Sequence, residues 1–482
     1  MDASYHSTFG TQLSSEPVVW TEGRVRGLMF WIPTIIIALA YVTQHNLLYA
    51  AGESVDYDQV SDLVSEAGSS SLLRELSFLA ISGLGVALLI RWRPEKLQTN
   101  TALLVGCLLM CALMLASCVW AEDSFQSFKR SLVPLLMLLA TLGIAKHWRG
   151  PELLMFVAVT TAGFLLLGLG AEIAQGSFSI SNIHRFAGTQ HPNTTGVNCA
   201  LLSLASLALY LDSRQNRNYQ ASLLWLALAA VGIVFLLLTR SRSATVAFGV
   251  ALAVFMFQGA SLNKKVLYCG VLLQLAAVVG VLWFMSDSQD GFLSAVKMGR
   301  EQETADITTL TGRIPIWGAV LGAVAERPLF GYGYGGFWTA RRVEQFSSMF
   351  DWTFMHSHSA YLEILLGVGV VGLVLGLSVV LVAIVSASRA FRVSGDQAFH
   401  FASALLIFAL VHGFLDGSFA RDGFESFVAV LTISVVVFYG GAVTANARYR
   451  KPAMFARHVA PHAFGPRQPN SLHRSHSLTA RG

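Results

Sequence analysis

Two histidines separated by a single serine are the best candidates for proton transfer in this sequence. His356 and His358 stand at the entrance of a long apolar run. An imidazole titrates near neutrality and can accept the proton of a hydroxyl nucleophile. His-x-His is also a fragment of some metal sites, but no third and fourth ligand stands at a recognisable spacing, so no metal is predicted. A structural role for either histidine at the helix entrance remains an alternative.

Three arginines beside connections between apolar runs are candidates for binding an anion. Arg185 precedes the sixth run, Arg242 lies in the turn between the seventh and eighth, and Arg313 begins the short apolar stretch 314–324. Each guanidinium offers a planar fork of donors that suits phosphate. For any one of them alone, snorkelling to lipid headgroups or a surface ion pair is the alternative. Three arginines on the same membrane face favour binding of a lipid-linked diphosphate, because such a lipid presents its phosphates near that face of the membrane.

A glycine-rich segment and two flanking residues complete the candidate site as a substrate loop. The segment Pro328–Gly336 carries Gly331 and Gly333, where the chain must turn or approach a ligand closely. Trp317 lies in the apolar stretch that precedes it. Glu363 follows the histidine pair, where it either orients an imidazole or remains unpaired near the membrane interface.

A further ionisable pair lies near the end of the eleventh apolar run. His412 and Asp416 are four residues apart and share one face of the predicted helix. Ionisable groups within a membrane are functional candidates, and this pair suits a proton relay. A solvated or interfacial role for Asp416 is the alternative.

The elements that must position these residues are membrane-spanning helices. Of 482 residues, 54% are hydrophobic and 13% are charged, against roughly 25% charged residues in an average soluble protein. This composition excludes an ordinary soluble enzyme and a disordered chain. About 20 apolar residues span a bilayer. Twelve apolar runs predict an all-α polytopic membrane protein with about 12 transmembrane helices: 28–46, 76–90, 101–121, 131–145, 152–174, 194–211, 222–239, 243–259, 265–285, 360–385, 399–416 and 425–443.

The distribution of Lys and Arg predicts the orientation. An even number of spans puts both termini on one side, and the cation-rich loops make that side cytoplasmic. The net charge of +5 gives no support to nucleic-acid binding, and the five cysteines lie in apolar runs rather than in a disulfide framework. The predicted organisation is a cytoplasmic N-terminus (1–27), helices one to nine (28–285), a long periplasmic loop with a surface helix (286–359), helices ten to twelve (360–444) and a basic, disordered cytoplasmic tail (445–482).

Several short motifs in one order resemble the O-antigen ligase/polymerase family over residues 115–420. Each motif is short, and their order together with the long external loop carries the resemblance. They are Trp120–Asp123, Arg185–Gly188 with His191–Asn193, Ser241–Arg242, Thr311–Arg313 with Trp317, Pro328–Gly333, and His358 with Tyr361–Glu363 and the glycines 367, 369 and 372.

The resemblance implies a glycosyltransferase of the GT-C kind in a bacterial inner membrane. Its donor would be an oligosaccharide on undecaprenyl diphosphate, and the reaction would need neither a metal nor another cofactor. Arg242 and Arg313 match the family's arginine positions, whereas Arg185 matches less tightly. His358 matches the family's loop histidine, although Ser359 stands where Asn often follows. The second histidine, His356, leaves the choice of base open, with His358 favoured.

The segment 191–198 and the overall layout resemble exopolysaccharide polymerases of the ExoQ type. A polymerase would transfer the growing glycan to the next lipid-linked repeat unit, and a chain-length regulator is a possible partner. The alternatives are an O-antigen ligase that transfers the glycan to lipid A-core, a protein-glycosylating relative, a polysaccharide-related transporter and a non-catalytic assembly subunit. Transporters usually show related halves and broken helices at corresponding positions, and neither is evident in the sequence.

Overall fold

The computed structural model describes residues 18–50, 72–91, 99–180, 184–260, 313–350 and 356–440. Every regular element within these ranges is helical, as predicted. The α-helices are α1 (Val18–Val42), α2 (Leu47–Ala50), α3 (Leu72–Ile90), α4 (Thr101–Ala116), α5 (Ser124–His147), α6 (Gly150–Gln175), α7 (Pro192–Gln215), α8 (Tyr219–Leu238), α9 (Arg242–Gln258), α10 (Arg313–Glu326), α11 (Ala340–Phe350), α12 (Ala360–Ser394), α13 (Gln397–His412) and α14 (Phe424–Val435).

Eleven of the twelve predicted runs coincide with helices. Six helices are long and apolar enough to cross a membrane: α5, α6, α7, α8, α12, and α4 with its 3-10 extension to Val119. Five shorter apolar helices cover the other coinciding runs, in α1, α3, α9, α13 and α14. The predicted ninth span (265–285) and the basic tail lie outside the described residues. The chain is therefore a multi-pass membrane protein, while the count of twelve stays a prediction.

Local sequence signals explain where the helices next to the candidate site begin. The Asp123 side chain accepts a hydrogen bond from the Gln126 N–H at 2.9 Å and caps α5, which is why α5 begins before the predicted run at 131. The His191 ring accepts from the Asn193 N–H at 3.2 Å, and Pro192 takes the first position of α7. Both arrangements satisfy donors that a helix start leaves open.

Helix α7 lies inside the bundle and packs against α6, α8, α9 and α13. Small residues allow close approach. A Cβ on Gly232 of α8 would collide with Ser203 of α7. The connections that follow α6, α8 and α13 meet at one end of the bundle, where the Phe186 N–H donates to the Leu238 carbonyl at 3.0 Å and the Ala360 N–H donates to the Gly413 carbonyl at 2.8 Å. This end carries the candidate site.

Helix α12 is two helices joined at Gly369, whose φ of 66° and ψ of −165° are not helical. This region of backbone space belongs essentially to glycine. The break leaves two amide groups without a helical acceptor, and carbonyls of the preceding loop accept from them. The Val370 N–H donates to the Pro328 carbonyl at 2.8 Å, and the Val371 N–H donates to the Leu329 carbonyl at 3.2 Å. The first half of α12 therefore turns away from the second and leads to the histidine pair.

The region between 313 and 350 contains two short helices. The helix predicted over 314–324 is confirmed as α10, and α11 follows at Ala340–Phe350. Their apolar sides form a small core of their own with the first turns of α12, including Val320, Phe337 and Leu366. The depth of α10 relative to a membrane surface stays a prediction.

Candidate functional site

The segment His356–Ser359, here called the His loop, is anchored on both sides by side chains from other elements. The Ser357 N–H donates to the Glu363 carboxylate at 2.5 Å. The Ser357 carbonyl accepts from the Trp317 indole at 2.9 Å. Glu363 also accepts from the Trp338 indole, at 3.1 and 3.2 Å to its two oxygens. Glu363 thus holds the backbone of the His loop, a role outside the two alternatives that the sequence suggested.

The two predicted catalytic histidines lie against each other. The ring centroids of His356 and His358 are 4.1 Å apart, with the planes tilted by 43°. His358 has a φ of 53°, which is uncommon for a residue with a side chain and occurs often at functional sites. Both rings are partly buried. The structure therefore brings both candidates for the base to one place.

Charges from several elements face this pair. Burial first, and then the positive charge of Arg313, lowers the pKa of His358 to about 4, with Arg421 and His191 adding to the effect and Asp416 opposing it. Burial and the neighbouring His358 likewise hold the pKa of His356 well below its ordinary value. Both imidazoles are consequently neutral near pH 7, the form that can accept a proton.

Arg185 is held by a loop that a buried carboxylate organises. Glu172 of α6 is 1% exposed. One of its oxygens accepts from the Ala187 and Gly188 N–H groups at 2.9 and 2.7 Å, and the other bonds the His184 ring at 3.0 Å. Gly168, one turn earlier on α6, lies so near Gly188 that a Cβ on it would be 2.9 Å from the Gly188 Cα. The segment 184–188, here called the Arg185 loop, is thus clasped against α6.

The guanidinium of Arg185 joins two further parts of the site. It donates to the Thr239 carbonyl at 2.9 Å, directly before the turn that carries Arg242, and to the Asn193 side chain at 2.7 Å. Asn193 in turn lies 3.4 Å from an Asp416 oxygen. Arg185 therefore connects the turn before α9 with the segment that follows α13.

His412 and Asp416 do not hydrogen-bond to each other through their side chains. The buried His412 ring lies 3.4 Å from each of two serines, Ser243 of α9 and Ser418. Asp416 accepts from the Ser418 N–H at 2.9 Å. Burial raises the pKa of Asp416, but the charge of His412 and the hydrogen bonds from Ser418 outweigh it and lower this pKa below its ordinary value. The pair is linked through Ser418, and His412 ties α13 to the start of α9, beside Arg242.

The glycine-rich segment packs against the break in α12 and against the connection between α4 and α5. Gly331 has a φ of 64°, and a Cβ there would be 2.5 Å from the Leu366 carbonyl. The neighbouring Tyr332 N–H donates to the same carbonyl at 2.7 Å. A Cβ on Gly333 (φ 93°) would collide with Ala121, and the Trp120 indole donates to the Phe330 carbonyl at 3.1 Å. These glycines shape the support of the His loop within the protein.

The structure thus gathers the predicted site residues at one end of the bundle. His356, His358, Trp317 and Glu363 form one group, and the charge of Arg313 acts on it. Arg185 and Arg242 form a second group at the turn before α9. Among the described residues, no group of three or more His, Cys, Asp or Glu side chains is arranged to hold a metal ion. Two participants were missed by the sequence analysis, Glu172 and Arg421, whereas Asn193 appeared there only as the end of the motif His191–Asn193.

A comparison with family models matches part of the chain. No protein of curated function matches the chain. The match is to the family model described as O-antigen ligase, over residues 225–377. These residues run from α8 into α12 and include Arg242, Arg313, His356, His358 and the glycine-rich segment, whereas Arg185 lies before them. The match confirms the predicted resemblance of this chain to the O-antigen ligase/polymerase family.

Proposed function

We propose that the chain is a polymerase of bacterial surface polysaccharide, either exopolysaccharide or O antigen. It transfers a growing glycan from undecaprenyl diphosphate to a hydroxyl of the next lipid-linked repeat unit, on the periplasmic face of the inner membrane. The topology that accompanies this function has about twelve spans, both termini in the cytoplasm and residues 286–359 in the periplasm. No metal or other cofactor takes part, and a chain-length regulator is a possible partner.

One observation carries the proposal. The stretch that matches the O-antigen ligase family contains two neutral imidazoles in contact with each other, and the positive charge of Arg313 acts on both. Glycosyl transfer from a lipid diphosphate needs a group that accepts a hydroxyl proton and cations that stabilise the departing diphosphate. Both are supplied here by side chains at one end of a membrane bundle.

The proposed reaction is a direct displacement at the anomeric carbon. The acceptor hydroxyl oxygen forms the new bond to this carbon while the bond from the carbon to the phosphate oxygen breaks. The hydroxyl proton passes to an imidazole of the His loop, and the electron pair leaves with undecaprenyl diphosphate. Arg242, Arg313 and Arg185 offer the positive charge that this leaving group requires.

Either His356 or His358 acts as the base, and His358 is favoured. Its pKa of about 4 describes the protein without substrate. A bound diphosphate would offset the cations that lower this pKa and so raise the basicity of the imidazole when the substrate is present. Glu363 acts by holding the His loop through Ser357, so its role is that of a positioning residue.

Transfer to lipid A-core, the reaction of a ligase, is the second candidate. The observation that favours it is the description of the matching family as O-antigen ligase. Both reactions share the donor, the leaving group and the base, and they differ only in the acceptor hydroxyl. The resemblance of segment 191–198 to exopolysaccharide polymerases supports the polymerase.

The test compares lipid-linked saccharides and surface polysaccharide in a strain that lacks the chain. Single repeat units accumulating without long chains would support a polymerase. Long chains that stay on the lipid carrier and never reach lipid A-core would indicate a ligase. Unchanged pools would refute both and favour a transport or assembly role. Complementation with Arg313→Ala should abolish polymer at normal protein level, and Arg341→Ala, an exposed arginine of α11, is the matched control.

A further inference from the structure

Arg421 lies on a short turn that packs against the His loop. The 3-10 turn Ser418–Ala420 ends at Arg421, whose N–H donates to the Ser418 carbonyl at 3.1 Å. Gly417 opens this turn, and a Cβ on it would lie 3.8 Å from Glu363 and 3.9 Å from His356, in ordinary van der Waals contact. The turn is thus a wall of the same site, contributed by the segment between α13 and α14.

The side chain of Arg421 is available to a ligand. It is exposed and forms no hydrogen bond or ion pair with any residue in the described ranges. The nearby Glu363 carboxylate already accepts from Ser357 and Trp338. An exposed guanidinium of this kind keeps its donors for an external acceptor.

Two cations therefore act on two neutral rings at this place. Arg313 begins α10 and Arg421 ends the 3-10 turn after α13, and the positive charge of each disfavours a proton on both imidazoles. Asp416 opposes them at His358. A paired positive charge beside a nucleophile-activating group suits a dianionic ligand such as a diphosphate.

We propose that Arg421 binds a phosphate oxygen of the lipid-linked substrate and forms, with Arg313, a two-sided clamp beside the His loop. This inference rests on the proposed function and extends its anion site beyond residues 225–377, the stretch that matches the family. Phosphate can reach an exposed arginine from a substrate diphosphate or from an anionic phospholipid headgroup. Convergence with Arg313 at the His loop favours the substrate.

The experiment measures binding of undecaprenyl diphosphate to the full chain in nanodiscs of phosphatidylcholine, which carries no net charge. Arg421→Ala should raise the Kd about tenfold or more, because a hydrogen-bonded ion contact is lost. Arg421→Lys should lie between the variant and the wild type, because Lys keeps the charge and loses the fork. Arg341→Ala should bind as the wild type does. A parallel series in phosphatidylglycerol nanodiscs tests the headgroup alternative.

The outcomes separate this inference from the proposed function. Equal Kd values for Arg421→Ala and the wild type would overturn it while leaving the proposed function intact. Equal losses in Arg421→Ala and Arg341→Ala would also overturn it, because they would reflect surface charge alone. A change in Kd for Arg421→Ala in phosphatidylglycerol nanodiscs alone would assign Arg421 to headgroups and would also overturn the inference. Absence of binding by the wild type would refute the proposed function and the clamp together. Should Arg421→Ala fail to fold, the Lys variant decides by the same criteria.

Discussion

Replacing Glu172 with Ala should disable the site from a distance, because this carboxylate organises the Arg185 loop. The change leaves the Ala187 and Gly188 N–H groups buried without their acceptor. An unsatisfied buried donor costs about 1–3 kcal/mol, so the loop loses about 2–6 kcal/mol of local stability. Arg185 would then leave its position at Thr239, and a shift of about 1 Å in a positioning group can lower turnover by about a hundredfold.

Hydrogen–deuterium exchange at the Arg185 loop is the direct assay for this change. Each 1.4 kcal/mol is about a factor of ten, so exchange at Ala187 and Gly188 should accelerate by about 30-fold to 10⁴-fold. Glu172→Gln should have a smaller effect, because its amide oxygen can still accept from both N–H groups and its NH₂ group can donate to the His184 ring. Ile173→Ala, a change at the next residue with 60% of its side chain exposed, is the control. Wild-type exchange and turnover in Glu172→Ala would refute the argument.

Three further predictions test other parts of the structure. Gly369→Ala should lower the free energy of unfolding, measured in detergent, by more than about 2 kcal/mol, since a side chain is strained at this φ and ψ. The control Gly376→Ala should unfold like the wild type, because its Cβ would make only an ordinary contact at 3.7 Å. The pKa of His358 is about 4 in the folded chain against 6.5 when unfolded, so the unfolded state binds more protons between these two pH values. The free energy of unfolding should therefore fall as the pH is lowered from 6.5 to about 4. A free energy of unfolding that does not change over this pH range would contradict the shift. Trp338→Phe removes a donor from Glu363 and should lower kcat and speed amide exchange in the His loop, and unchanged values for both would refute its anchoring role.

The helices were predictable because each apolar run differs in hydropathy from the more polar connections beside it. The break in α12 was not predictable, because hydropathy carries no information on φ and ψ. The apolar run through Gly369 therefore predicts one continuous helix. The glycines at 367, 369 and 372 were visible as a pattern, but the partners that fill the break, the Pro328 and Leu329 carbonyls, are far away in the sequence. Helix α11 was missed because its sequence, from Ala340, is amphipathic and too polar to stand out as an apolar run.

The histidines and arginines were found because their side chains differ from their apolar surroundings. Glu172 also differs from its surroundings, but it lies near the end of a long apolar run and was not singled out. Its partners are backbone N–H groups, which no residue type in the sequence reveals. The rule that ionisable groups within membrane helices are functional candidates would have found it. Arg421 is followed directly by Asp422, so sequence alone suggests an ordinary surface ion pair, and only the packing of its turn on the His loop distinguishes it.

The geometry implies that the residues of the family-matched stretch depend on parts of the chain outside it. Arg242 follows a turn that Arg185 holds at the Thr239 carbonyl, and Ser243 beside it contacts His412. The His loop is held by Glu363 and, through the Ser359 hydroxyl that donates at 3.4 Å, by the carbonyl of Gly413, which follows α13. Because the supports outside this stretch belong to α6, the Arg185 loop and the end of α13, a fragment limited to residues 225–377 would retain the reactive side chains and lose part of their arrangement. Activity should therefore require the full bundle, and changes in the supporting segments should lower kcat even though none of these segments carries the proposed base.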